Sequence, residues 1–173
     1  MTKLINHPQI NSVQLGLVGE NLFAQMLDQW RICYMRLEQS VSTKPLKIRE
    51  LRAKRVDFVL PSNPTLGIQN NLLVDVKNYR LNHTYRRFII RQEEVDMLSR
   101  CQEAYGTPEV HIAFHNNDSY EPSFYMASIQ DIIQCAVTME ASDFLSISID
   151  ALSSVSTLKD FEQYILTGGQ YWQ

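Results

Sequence analysis

The feature that most limits how this chain can fold is a pair of strongly apolar runs, each carrying one carboxylate in its middle. The first is Lys54-Arg55-Val56-Asp57-Phe58-Val59-Leu60, and the second is Leu72-Leu73-Val74-Asp75-Val76-Lys77-Asn78-Tyr79. Both read as strands, and Pro61, Asn63, Pro64, Gly67 and Asn70 between them supply a turn. A lone carboxylate in a buried strand costs several kcal/mol unless something compensates it, so each aspartate calls for a partner. Side chains alternate along a strand, which puts Asp75 and Lys77 on one face and Val74 and Val76 on the other. If the two runs pair, Asp57 comes beside Asp75. Two carboxylates, the Val76 carbonyl and the Lys77 ammonium then converge, a set suited to a metal ion and water.

The remaining chain reads as one α/β domain over residues 1–173. Leu15, Val18, Leu22, Met26 and Trp30 recur at helical spacing and predict a helix over 14–30, with Asn11 and Ser12 placed to cap it. Gly16 and Gly19 each cost a helix about 1 kcal/mol against alanine. They sit one turn from and directly beside Glu20 and would let a strand or a ligand come close to it; otherwise Glu20 is a surface glutamate beside incidental glycines. A short strand is expected over 32–37, then a polar stretch and a basic segment around Lys47, Arg49 and Arg52. A second helix is expected over 92–105, with Val95, Leu98 and Cys101 on one face and Gly106, Thr107 and Pro108 ending it. His111 and His115 share a face of a strand over 109–115, and with no third ligand they read as strand-face histidines rather than metal ligands. Further strands at 124–127 and 144–149 and helices at 129–137 and 158–166 follow, the last ended by Gly168 and Gly169.

Composition and charge narrow the function classes. At 45% apolar and 20% charged the chain is of globular type, neither disordered nor fibrous. It has no run of 18 apolar residues, and residues 1–8 hold no apolar signal core. Cys33, Cys101 and Cys135 lack paired spacing and read as reduced core cysteines, so a cytoplasmic setting is expected. The net charge of −3 conceals an asymmetry: residues 44–91 carry eleven Lys or Arg against three acids, and residues 92–173 carry two against thirteen. A basic middle around buried carboxylates points to a polyanion, with Lys54, Arg55, Arg80, Arg86 and Arg87 as candidate phosphate contacts. The alternative is that the basic loops pair with the acidic C-terminal half. Residues 80–88 interleave cations and aromatics, which suits either a phosphate backbone with stacked bases or a hairpin whose aromatics cap the core.

Gly19-Glu20 on a first helix, Asp57 on a strand, Asp75-Val76-Lys77 on its partner and Gln92 at the start of the next helix form an ordered set. With the helix–strand–strand–strand–helix–strand order over about residues 12–115, it resembles the PD-(D/E)xK nuclease superfamily. Glu20 looks like the helix-borne acid of the Holliday-junction resolvase and related branches. Val56 stands where the motif's proline would precede Asp57, and residues 116–173 form a C-terminal α/β extension without a subfamily pattern.

The resemblance implies a restriction-endonuclease-like central mixed β-sheet flanked by helices. It also implies Mg²⁺, with Mn²⁺ expected to substitute, held by Asp57, Asp75 and the Val76 carbonyl. Lys77 would then orient the attacking water, Glu20 would complete a second metal site or polarise that water, and Gln92 would assist. The types fit the ion: Mg²⁺ takes hard oxygen ligands, and two adjacent aspartates repel unless a cation lies between them. The implied activity is hydrolysis of DNA phosphodiesters, duplex or branched, by a metal-dependent endonuclease. A homodimer or larger assembly would be needed to cut both strands. The alternatives are a junction resolvase or transposon-type subunit active only in an assembly, a catalytically silent nucleic-acid-binding module of the same fold, and a protein–protein adaptor working through its acidic half.

Overall fold

A computed structural model of the chain describes residues 12–106, 109–119, 121–140 and 142–168. Asn11, Thr107, Pro108 and Gly169, expected at helix ends, lie outside the described residues, as do residues 1–8. Among the described residues the order is α1 (Ser12–Gln29), β1 (Met35–Arg36), α2 (Leu46–Glu50), β2 (Phe58–Leu60), β3 (Leu72–Tyr79), β4 (Arg87–Arg91) and α3 (Gln92–Tyr105). There follow β5 (Val110–Asn116), β6 (Phe124–Ser128), α4 (Ile129–Cys135), β7 (Val137–Thr138), β8 (Phe144–Ser148), β9 (Ser153–Val155) and α5 (Leu158–Thr167).

The main sheet is six-stranded in the order β1-β2-β3-β5-β6-β9, and β4, β8 and β7 form a smaller antiparallel sheet. Within the main sheet only β3 and β5 run parallel, with Asp75 beside Ile112. A parallel pair needs a crossover, and β4 with α3 supplies it. The protein is thus mixed α/β, a mixed sheet flanked by helices.

Alternation along β3 sorts the core into two layers. Val74 and Val76 pack with Phe23, Met26 and Leu27 of α1 and with Phe161 and Tyr164 of α5. Leu73 packs on the other side with Val95, Leu98 and Cys101 of α3, Ile129 and Ile132 of α4, and Phe88, Ile90, Leu145 and Ile147 of the small sheet. Phe23 meets Phe58 and Phe124 edge-on at 5.2 and 5.1 Å, and Phe88 stacks on Phe114 at 5.0 Å. α3 and α5 each end on a glycine in the left-handed region, Gly106 and Gly168, as expected.

Several boundaries differ from the sequence reading, each for a tertiary reason. The strand expected over 32–37 is regular only at Met35–Arg36, although Leu37 N–H still donates to the Asp57 carbonyl at 2.8 Å. That expected over 54–60 pairs only from Phe58, because the preceding backbone is drawn to α3, with Lys54 N–H donating to the Met97 carbonyl at 3.1 Å. The basic segment contains α2, seated by buried Ile48. Arg87 and Phe88, read as loop, begin β4, and Val137, read as helix, joins β7, since β8 pairs with both. Of the cysteines only Cys101 is core; Cys33 is exposed and Cys135 half-buried, and all three are free.

Candidate functional site

Pairing of β2 with β3 sets Phe58 opposite Val74, which leaves Asp57 at the end of β2 beside the stretch of β3 that carries Asp75. Asp57 N–H donates to the Val74 carbonyl at 3.1 Å, and there the ladder ends. The Asp57 side chain takes the next place: its Oδ2 accepts from Val76 N–H at 2.7 Å. Its Oδ1 accepts from Gln39 Nε2 at 3.1 Å, and the same amide donates to the Val56 carbonyl at 2.9 Å. Asp75, fully buried, has Lys54 Nζ 2.9 Å from Oδ1 and Lys77 Nζ against Oδ2. Both ammonium groups also reach Glu94 Oε1, at 3.1 Å from Lys54 and 2.8 Å from Lys77. Tyr79 completes the group by donating its hydroxyl to Glu94 Oε2 at 2.8 Å. Asp75, Lys77 and Tyr79 project together because they alternate along β3, and Glu94 stands in the first turn of α3, where the helix dipole favours a carboxylate.

Three carboxylates against two ammonium groups leave one net negative charge when all are ionised. Burial, reinforced by the neighbouring Asp75, pushes the Asp57 carboxyl up to about 7 despite Lys54 and the Val76 N–H. Burial would raise Glu94 as well, but Lys77 and Lys54 outweigh it and hold Glu94 at about 2. Burial opposes the charge on Lys54, yet Asp75 and Glu94 raise it above the ordinary lysine range.

These groups fit a divalent ion. The Asp75 oxygens are buried, and each meets an ammonium in an ion pair but accepts no hydrogen bond. N–H and C=O of a strand residue point to the same side, so the Val76 carbonyl faces the strand that carries Asp57. Asp57, Asp75 and that carbonyl are the hard oxygen donors Mg²⁺ takes. A third acid does not join them: among the described residues no three His, Cys, Asp or Glu side chains are grouped to hold a metal.

Glu20 lies on the α1 side of the sheet, where Arg36 binds it at 2.7 and 3.2 Å. Arg36 also donates to Asn21 at 2.8 Å and covers the Phe58 ring. Glu20, Arg36 and Gln39 line a cavity of about 510 Å³, and among the described contacts the Glu20 carboxylate pairs with Arg36 rather than with the cluster. The close approach expected at its glycines is real at Gly19 alone: a Cβ there would stand 2.7 Å from Asn78 Cβ, whereas Gly16 has open space. Gln92 turns to Asp96, donating at 2.8 Å, and takes no part. Glu94 serves instead, and the sequence does carry its signal: four before Leu98 and seven before Cys101, it lies on the buried stripe of α3.

The expected phosphate contacts divide. Lys54 belongs to the cluster. Arg55 is 7% exposed and is consumed internally, donating to the Glu38 and Ser40 carbonyls and the Thr43 hydroxyl, which pins the segment that carries Gln39. Arg80 pairs with Asp118 at 3.2 Å, Arg86 with Asp150 at 2.9 Å, and Arg87 donates to Ser146 at 3.4 Å. The acidic half thus does meet the basic middle at these points. His111 bonds the Tyr164 hydroxyl, and burial lowers it to about 3; His115 bonds Asn78 at 2.8 Å and the Glu121 carbonyl at 3.0 Å. A separate cavity of about 300 Å³, lined by Leu72, Glu109, His111 and Tyr164, lies away from the cluster. No protein-family model matches the chain, and no curated protein matches it significantly.

Proposed function

We propose that the chain is a Mg²⁺-dependent endonuclease of the restriction-endonuclease-like fold that hydrolyses DNA phosphodiester bonds. The observation that carries this reading is the convergence of Asp57, Asp75, the Val76 carbonyl and Lys77 at the point where β2 leaves β3. Asp57, Asp75 and the Val76 carbonyl would hold the ion, with Mn²⁺ able to replace it. The chemistry such an ion would supply there is a lowered pKa for a bound water and a positive charge facing the phosphate. Lys77 presents its ammonium beside the same carboxylates, placed to hold a water or a developing negative charge. Glu94 fixes Lys77, and Tyr79 fixes Glu94.

A second reading is favoured by one observation: all four oxygens of Asp57 and Asp75 are already contacted by protein donors. A closed cluster of this kind also suits a catalytically silent nucleic-acid-binding module. Incubation of supercoiled plasmid, linear duplex and four-way junction with Mg²⁺ or Mn²⁺, beside Asp75→Ala and Lys77→Ala, separates the two. Cleavage by the wild type, lost in both variants and in chelator, is the expected result, and the preferred substrate distinguishes a general endonuclease from a junction resolvase. Salt-sensitive binding without cleavage would move the assignment to the silent module.

A further inference from the structure

We propose that Lys54 is a displaceable resident cation, which holds the buried carboxylates when no metal is bound and must leave for a divalent ion to reach Asp75. It would therefore set the affinity of the site for Mg²⁺ and Mn²⁺. This rests on the metal-dependent reading above and deepens it.

The two lysines of the cluster are not equivalent. Lys77 projects from β3 where β5 runs alongside, past the end of β2, and its side chain is 5% exposed. It has no way out. Lys54 comes from the irregular segment ahead of β2, and its side chain is 27% exposed. Its hydrogen bond goes to Glu94, and its contact with Asp75 is electrostatic only. A flexible four-carbon stem lets such an ammonium retract to solvent by side-chain rotation alone.

Charge makes the exchange favourable. With Lys54 in place the ionised cluster carries one net negative charge; with Lys54 withdrawn, Asp57, Asp75, Glu94 and Lys77 carry two. A divalent cation neutralises two, whereas ion and Lys54 together would leave a buried excess of positive charge. Lys77 retains Glu94 at 2.8 Å throughout and stays in place.

The test is Mn²⁺ binding, followed by loss of the free-ion electron paramagnetic resonance signal, for the wild type, Lys54→Met, Lys54→Arg and Asp75→Asn. Thermal melts are run beside it in chelator and in Mn²⁺. Lys54→Met is expected to bind Mn²⁺ at least tenfold more tightly than the wild type. It should melt lower in chelator and gain more from Mn²⁺, while Asp75→Asn binds none. If Lys54→Met folds only with metal, Lys54→Arg decides, since a forked, slower-leaving guanidinium should weaken Mn²⁺ binding. Unchanged affinity in the Lys54 variants, with Asp75→Asn still abolishing binding, overturns the role of Lys54 and leaves the metal site intact. Absence of Mn²⁺ binding at millimolar ion in cooperatively folded wild type and Lys54→Met overturns both.

Discussion

Replacing Asp57 by asparagine is expected to stabilise the metal-free protein, and to do so more as pH rises. Asp57 is 5% exposed, and burial with the neighbouring Asp75 lifts its carboxyl from 3.8 to about 7. An acid raised in this way keeps, in the folded state, a proton that the unfolded chain has already lost. Its contribution to stability is complete below 3.8 and is lost as pH climbs through about 7. At about 1.4 kcal/mol per pH unit, that interval sets a ceiling of about 4 kcal/mol. Asparagine keeps the shape, and its amide oxygen can still accept the Val76 N–H, but the Gln39 contact is compromised at about 1 kcal/mol. The net expectation is a gain of about 2–3 kcal/mol near pH 8 and a loss of about 1 kcal/mol near pH 4. His111 titrates in the opposite sense, because burial lowers it from 6.5 to about 3 and its contribution fades as pH falls through that range. The wild-type profile is therefore partly cancelled, and the informative quantity is the difference between variant and wild type. Urea unfolding in chelator at about pH 4, 6 and 8 measures it. A difference that does not change with pH, or a variant less stable than wild type near pH 8, refutes the reasoning.

Other substitutions probe the packing that positions the cluster. Gly19→Ala should cost about 1–3 kcal/mol because its Cβ would meet Asn78, while Gly16→Ala, facing open space, should gain up to about 1 kcal/mol; opposite signs in thermal melts are the check. Tyr164→Phe strips His111 Nδ1 of its partner inside the core and should cost about 1–3 kcal/mol in urea unfolding. Arg55→Met removes the donors that hold the Glu38 and Ser40 carbonyls, so amide exchange in residues 38–43 should accelerate ahead of global unfolding; unchanged protection there would show that Arg55 does not anchor the segment.

The shared face of Asp75 and Lys77 is legible in the sequence because strand alternation leaves no other arrangement once 72–79 is a strand. Asp57 is legible through the same pairing, although β2 supplies only three hydrogen-bonded residues. What local reading does not reach is the competition for partners. Lys54 and Arg55 are adjacent and chemically alike, yet one joins Asp75 and Glu94 and the other is spent on the carbonyls of residues 38 and 40. That division is decided by α3, forty positions away, and by a segment some fifteen positions back. Gln92 draws attention as a helix start, but helical pitch places Glu94 on the inward stripe and turns Gln92 toward Asp96. β4 is hidden for a similar reason: its cations look like loop until β8 pairs Arg87 with Ser148.

The exposed arginines offer the sharpest separation between a polyanion partner and an adaptor role. In the Arg80–Asp118 pair the side chains are 80% and 42% exposed, and in Arg86–Asp150 they are 62% and 70%. Ion pairs so open to water contribute little and are screened by salt, so they hold the arginines only loosely. A phosphate, with more charge and a matching fork of oxygens, competes for the same guanidinium. If the partner is DNA, Asp118→Asn with Asp150→Asn should tighten binding severalfold and steepen its logarithmic salt dependence by up to about one per arginine released. Both effects should persist in Asp75→Asn, because they arise outside the buried cluster. Unchanged affinity and slope in the double variant would mean that Arg80 and Arg86 do not contact phosphate. The acidic half would then remain the charged surface available to a partner.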